Sequence, residues 1–213
     1  MESLTSHTDY GALSLNESAV SPDPMVQFAR WLAAAERAGL YEPNAMVVGT
    51  VDPDGRPSSR TVLLKGLDGH GFEFVTNYGS RKGRALLADP GISLLFPWYS
   101  MQRQVIVYGT ARPTDAAASD AYFERRPRAA RIATVASAQS QPIGSRALLE
   151  ERVREVEQRY PDDTEIPRPD AWGGFRVIPD EVEFWQGRTS RLHDRLRFTL
   201  LDGGGWAMER LQP

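Results

Sequence analysis

Five groups of residues in this 213-residue sequence have the types and spacing to do chemistry. Gly79-Ser80-Arg81-Lys82-Gly83 lies between a strand-like and a helix-like run, so backbone N–H groups, a hydroxyl and two cations can converge on an anion at a helix N-terminus. A solvated basic helix start accounts for the same residues. Arg60 and Lys65 share one strand-like run at odd spacing and therefore face opposite sides of it. They serve different pockets, or one is surface charge. Tyr122, Arg125, Arg126, Arg128 and Arg131 crowd around Pro127, and like charges so close repel unless an anion or an acidic partner offsets them. Solvated arginines at a helix end are the alternative. Gln139-Ser140 opens a polar loop whose donors can reach a ligand.

The fifth group is Glu183-Phe184-Trp185-Gln186-Gly187-Arg188-Thr189-Ser190-Arg191-Leu192-His193-Asp194-Arg195. If this stretch is extended, Arg191, His193 and Arg195 point the same way. Three basic side chains beside Trp185 suit a flat, anionic, aromatic ligand. A structural hydrogen-bonding role is the other reading of the single histidine.

Composition removes competing chemistries. Cysteine is absent, and His7, His70 and His193 are scattered, so disulfides, thiolate nucleophiles and a zinc site are not expected. The formal net charge of -3 gives no global attraction to nucleic acid or to an anionic membrane, so an anion site must be local. No apolar run reaches the roughly 20 residues of a membrane span, and Met1 to Tyr10 lacks a signal-peptide pattern. A cytoplasmic protein is expected. P-loop, Rossmann, serine-elbow and H-E-x-x-H motifs are all missing. Lys65 and Lys82 are the only lysines, which singles out both as compact point charges among arginines.

The elements that must position these residues follow from periodicity. Residues 1–22 are polar and aperiodic, a flexible N-terminal arm. Asp23 caps a helix with Pro24 at its first position, stopped by Gly39. Strand periods then cover Ala45 to Val51, Ser58 to Lys65, and Phe72 to Thr76, with a Gly-rich turn before the last. A short helix runs to Ala88, and strands follow at Ile92 to Phe96 and Gln104 to Arg112. Helices span Asp115 to Glu124 and Arg146 to Tyr160. Four final strands are expected at Gly174 to Ile178, Val182 to Gln186, Arg195 to Leu200 and Trp206 to Leu211. Seven or eight short strands joined mostly by hairpins favour a closed antiparallel barrel with helices outside it.

Taken in order, these motifs resemble the pyridoxine (pyridoxamine) 5'-phosphate oxidase family. The resemblance runs from about Asp23 to Pro213 through Asp23-Pro24, Asn44-Ala45-Met46-Val47-Val48, Arg60-Thr61-Val62-Leu63-Leu64-Lys65, and Thr76-Asn77-Tyr78-Gly79-Ser80-Arg81-Lys82. It continues through Leu95-Phe96-Pro97-Trp98, Arg103-Gln104-Val105, Arg126-Pro127-Arg128, Gln139-Ser140, Trp172-Gly173-Gly174, Glu183 to Gly187, Arg191 to Arg195 and Glu209-Arg210-Leu211.

The resemblance implies a mainly β fold with α-helices: an antiparallel split β-barrel with peripheral helices, formed by residues 23–213 as one FMN-binding domain. It further implies a homodimer with two FMN sites in clefts between subunits. Arg60, Arg81 and Lys82 would hold the FMN phosphate, with Gln139 and Ser140 of the partner subunit. Thr61, Val62, Val75, Thr76, Gln104, Trp185 and Arg195 would line the rest of the flavin. Lys65, Tyr122 and Arg126 would take a substrate phosphate, and Arg191 and His193 would lie over the substrate ring as the catalytic pair. The activity implied is oxidation of pyridoxamine or pyridoxine 5'-phosphate to pyridoxal 5'-phosphate, with molecular oxygen as acceptor and hydrogen peroxide as product. A related oxidase of phenazine biosynthesis, or a non-catalytic flavin- or anion-binding module, are the alternatives.

The chain departs from that family's pattern twice. Ala130 stands four residues after Arg126, where a serine is usual, and the arm offers Asn16-Glu17-Ser18 where paired basic residues are common.

Overall fold

A computed structural model describes residues 9–213 of the chain. Helix α1 (Pro24–Arg37) starts where Asp23 accepts a hydrogen bond from the Met25 amide at 2.8 Å, and Gly39 beyond its end takes φ +70°, a conformation that favours glycine. The helix buries Met25, Phe28, Trp31 and Ala35 at helical spacing. Phe28 meets Phe72 and Phe96 edge to face, with ring centroids 4.9 and 4.6 Å away, so α1 packs on the sheet face that forms the main core.

That sheet contains β1 (Ala45–Val51), β2 (Pro57–Leu63), β3 (Gly66–Asp68), β4 (Gly71–Asn77), β5 (Gly91–Trp98), β6 (Arg103–Pro113), β7 (Trp172–Gln186), β8 (Asp194–Leu200) and β9 (Trp206–Leu211). The strand order is β2-β1-β5-β6-β7-β4-β3, with β8 and β9 branching from β7. All pairings are antiparallel. Among the described residues the ladder ends at β2 and β3, so the barrel is split and not closed as the strand count alone suggested. Alternate residues fill its interior: Val105 and Val107, Val182 and Phe184, and Leu196 and Phe198 are buried, while the residues between them point to the opposite face of the sheet.

Several boundaries differ from the sequence reading. The two strands expected at Gly174 to Ile178 and Val182 to Gln186 are the single 15-residue β7. Pro179 does not break it, because the ladder with β6 shifts register between Tyr108 and Gly109 and absorbs one extra residue. Gly109 permits this, since a Cβ there would lie 2.2 Å from the Ile178 carbonyl oxygen. Strand β2 stops at Leu63, and Lys65 lies beyond it, its amide donating to Glu73 O at 2.7 Å. The Gly-rich turn contains the short strand β3. The basic cluster around Pro127 continues into a helix, α4 (Arg128–Ala136), that was not expected. Its signal was the spacing of Ile132 and Ala136, both buried.

Helices α2 (Arg81–Ala88), α3 (Ala116–Glu124) and α5 (Arg146–Arg159) complete the fold. Phe123, Ile132, Ala136, Val156, Ile166 and Trp172 form a second core that seats α3, α4 and α5 on the start of β7.

Part of the expected arm lies outside the described residues, and the remainder rests on the body. Leu15 is buried, its amide donating to Asp194 Oδ2 at 3.0 Å and its carbonyl accepting from Arg210 at 2.9 Å. Arg210 also grips Glu17, holding that carboxyl down at about 2.

Candidate active site

Strand β4 and helix α2 position the first cluster. Ser80 caps α2, its hydroxyl accepting from the Gly83 amide at 3.2 Å. Gly83 allows the helix to press against the chain it leaves, since a Cβ there would lie 2.5 Å from the carbonyl oxygens of Asn77 and Tyr78. This packing buries Lys82, whose ammonium donates to Thr76 Oγ1 at 2.9 Å and Gln139 Oε1 at 3.3 Å. Burial, with the charge of Arg60 second, brings that ammonium down to about 8. Arg60 donates to Val48 O at 3.2 Å, Thr50 Oγ1 at 2.8 Å and Ser58 Oγ at 2.6 Å, all uncharged acceptors. Among the described residues neither cation has a direct ion pair, Asp52 being paired with Arg81, and two neighbouring cations so placed are what a phosphate corrects.

Gln139 belongs to this cluster within its own chain, accepting also from Thr76 Oγ1 at 3.1 Å and the Asn77 amide at 3.4 Å. That differs from the expectation that a partner subunit supplies it. Arg81 is exposed and turned to Asp52, with Nε 2.7 Å from Oδ2. The guanidinium holds the Asp52 carboxyl below the usual range. Ser140 is exposed at φ 69°, Thr61 is exposed on β2, and Val62 and Val75 are half-buried.

A cavity of about 480 Å³ adjoins this cluster and leads to the second. Its lining includes Val75, Thr76 and Gln139 at one side and Arg126, Ala130 and Thr134 at the other. The Arg126 guanidinium lies 4.7 Å over the Trp172 ring, and Tyr122 stacks on the same tryptophan at 6.3 Å. Arg126 has no carboxylate partner among the described residues, and burial lowers the stability of its charge. Lys65 is exposed beyond β2, with no contact that ties its ammonium to Arg126. Arg128, by contrast, is consumed structurally, donating to the carbonyls of Pro161 and Thr164.

The third cluster sits where β6, β7 and β8 lie side by side. Gln104 pairs with Trp185, and Trp185 with Arg195, so all three project from one face. The expected wall of Arg191, His193 and Arg195 does not form. Residues Thr189–Arg191 make a tight turn in which Ser190 and Arg191 have φ of 55° and 59°, leaving Arg191 exposed. His193 stays beside Trp185, with ring centroids 4.6 Å apart. Its Nδ1 accepts from the Arg188 amide at 3.1 Å, so the neutral ring carries its proton on Nε2. Tyr10 packs against both rings at 5.9 and 5.6 Å.

Three supporting residues were missed from the sequence. Glu183 grips Arg195, Asp52 grips Arg81, and Thr134 accepts from Arg126 at 2.7 Å. The only sequence signal for Glu183 was its position two residues before Trp185, hence on the same strand face. Asp52 and Thr134 carried none.

Comparison with known proteins agrees with this architecture. Residues 32–160 match the family model described as pyridoxamine 5'-phosphate oxidase, and residues 172–213 match the pyridoxine 5'-phosphate oxidase C-terminal dimerisation region. The chain is 54% identical over 205 residues to the pyridoxine/pyridoxamine 5'-phosphate oxidase of Rubrobacter xylanophilus, covering 96% of this chain and 94% of that protein. It is 53% identical over 206 residues to the protein of the same name from Salinispora arenicola, covering 96% and 93%. The solved structure of PhzG from Burkholderia lata 383, in complex with tetrahydrophenazine-1-carboxylic acid, matches with a TM-score of 0.88 at 32% identity, covering 96% of this chain and all of that one. By matched models, identity and fold together, the chain belongs to the pyridoxine/pyridoxamine 5'-phosphate oxidase family.

Proposed function

We propose that the protein is an FMN-dependent oxidase that converts pyridoxamine 5'-phosphate or pyridoxine 5'-phosphate to pyridoxal 5'-phosphate, using oxygen and releasing hydrogen peroxide. The observation that carries this reading is a pair of cationic seats with no ion pair among the described residues: Lys82 with Arg60, reached from one cavity through Thr76 and Gln139 in its wall, and Arg126 over Trp172 in the same wall. Two seats match two phosphates, one on a cofactor and one on a substrate. The buried ammonium of Lys82, the hydroxyl of Thr76 and the start of α2 fit the FMN phosphate. FMN, when bound, supplies the acceptor for a hydride and its route to oxygen.

The chain's own residues bind and orient. Two phosphates seated at fixed positions turn a chance encounter into an oriented one. Trp185 and Arg195 present an aromatic plane and a cation to the rings, while His193, proton on Nε2, can donate to a ring substituent. These residues do not join the phosphate seats within one chain. Val75 pairs with Gly174, and the 11 residues from there to Trp185 span a contour of about 36 Å along β7. A homodimer whose partner brings its Trp185 face to the Lys82 seat supplies the missing wall, in keeping with the matched dimerisation region.

A phenazine-type oxidase is the second reading, favoured by the fold match to PhzG, though that match has 32% identity against 54% for the pyridoxine/pyridoxamine 5'-phosphate oxidase. The test is to purify the protein, look for flavin absorbance and measure oxygen-dependent peroxide formation with pyridoxamine 5'-phosphate. Flavin without turnover of that substrate sinks the first reading.

A further inference from the structure

We infer that Thr134 is a positioning residue for substrate phosphate, acting through Arg126. The proposal rests on the reading of Arg126 as the substrate-phosphate seat. The side chains of a helix lean toward its N-terminus, so a residue one turn after Ala130 reaches back to the level of Ala130 itself. Thr134 does so: its Oγ1 donates to Ala130 O at 2.8 Å.

That bond decides what the hydroxyl does next. A threonine hydroxyl has one proton, and here the helix carbonyl takes it. Only lone pairs remain for Arg126, whose Nη1 donates to them at 2.7 Å. The guanidinium is thus fixed by Thr134 at one nitrogen and by the Trp172 face at 4.7 Å. Among the described residues Nε and Nη2 have no hydrogen-bond partner, and both Arg126 and Thr134 line the cavity. An arginine held at one nitrogen with the other two donors open is prepared for an anion, and its planar fork suits two phosphate oxygens.

Ala130 gives the arrangement its purpose. Its methyl group offers no donor to the cavity it lines, so a phosphate there depends more heavily on Arg126 being correctly aimed. Thr134 supplies the aim from the next turn, without touching the ligand.

The test compares holo-protein carrying Thr134→Val, Thr134→Ser and no substitution. Valine keeps the shape and removes the acceptor, whereas serine keeps the acceptor. Binding of pyridoxal 5'-phosphate and of unphosphorylated pyridoxal is measured by equilibrium dialysis, with KM and kcat for pyridoxamine 5'-phosphate alongside. The expected result for Thr134→Val is about tenfold weaker binding of the phosphorylated compound, a raised KM and a little-changed kcat. FMN affinity and pyridoxal binding should not move, and Thr134→Ser should stay within about twofold of the native protein. Native binding by Thr134→Val overturns the proposal alone. Equal losses in the valine and serine variants overturn it too, because they indicate a general disturbance of α4. An unsubstituted protein that binds pyridoxal 5'-phosphate no better than pyridoxal sinks the substrate-phosphate reading, and the proposal with it.

Discussion

Glu183 holds Arg195 by two hydrogen bonds of 2.7 and 2.9 Å, on the strand face where Arg195 lies opposite Trp185. Glu183 is buried, and its carboxylate raises the affinity of Arg195 for its proton through the paired hydrogen bonds. The pair therefore fixes the direction of the one cation beside Trp185 that the turn at Ser190 has not moved away. Replacing Glu183 by glutamine keeps the shape and halves the match to the guanidinium fork. FMN binding to apo-protein should weaken about tenfold, or about 1.4 kcal/mol, within the usual range for a hydrogen bond to a charged group. Flavin titration checks this. Unchanged affinity removes Arg195 from the flavin wall.

The separation of the Lys82 and Arg195 clusters along β7 predicts complementation between two inactive chains. If each site takes Lys82 from one chain and Arg195 from the other, a mixed dimer of Lys82→Ala and Arg195→Ala chains has one intact site and one doubly substituted site. Random reassociation of equal amounts should restore about a quarter of native activity, since half the dimers are mixed and half their sites are intact. Sites built within one chain would give no recovery.

Lys82 also predicts a pH dependence. An ammonium brought down to about 8 must be charged to meet phosphate, so FMN affinity should be nearly flat below that pH and fall above it, where binding has to take up a proton. Lys82→Arg, with a permanently charged group, should bind with a flatter profile up to about pH 10. The stability of the apo-protein moves the other way. Its folded lysine holds a proton less tightly than the unfolded one, so this group contributes rising stability as pH climbs from about 8 toward the 10.5 of a free lysine. Titrations of FMN binding across pH 6 to 10, about two pH units either side of that lysine value, settle it; identical profiles for the two proteins would remove Lys82 from the seat.

Gly83 gives a stability prediction. A Cβ at this position meets two backbone carbonyl oxygens, which cannot turn aside as a flexible side chain could. Gly83→Ala should destabilise the protein by about 1 to 3 kcal/mol, more than the helix propensity of alanine returns. Thermal melting of native and variant apo-protein measures it, and an unchanged or higher melting temperature shows that α2 is not pressed against Asn77 and Tyr78.

Local signals carried much of the fold. Asp23-Pro24, the Gly79 to Gly83 run and the alternation in β5 and β6 each encode their structure within a few residues, and each was legible in the sequence. What escaped was set by distant partners. Pro179 reads as a break until the register shift opposite it in β6 is seen, and α4 was masked by arginines that read as an anion site or as solvated charge at a helix end. The same holds at the site. Lys82 and Arg60 stood out by type, yet Gln139, Asp52, Glu183 and Thr134 acquire their neighbours only through tertiary packing. The Arg191 to Arg195 segment failed for a related reason: a two-residue periodicity says nothing of a backbone that turns left-handed at Ser190 and Arg191.

Ala130 supports the last prediction. It lines the cavity beside Arg126, so Ala130→Ser places a hydroxyl within the wall that faces the proposed substrate phosphate. A hydrogen bond to a charged group is typically worth about 1.5 to 3 kcal/mol, but two features reduce the gain here. A serine within a helix can turn its hydroxyl to the carbonyl four residues before it, which at this position is that of Arg126. Thr134 already aims the Arg126 guanidinium, so the new hydroxyl adds a donor without improving that alignment. KM for pyridoxamine 5'-phosphate should therefore fall by about threefold or less while kcat stays the same, because phosphate is held alike in ground and transition states. In a Thr134→Val background the same substitution should recover a larger share of lost affinity, since the seat then lacks its aim. FMN affinity should not change in either background, as Lys82 and Arg60 serve the other phosphate. Steady-state kinetics and flavin titration decide the matter: a raised KM places Ala130 against a crowded wall, and an altered FMN affinity means that the two phosphate seats have been exchanged.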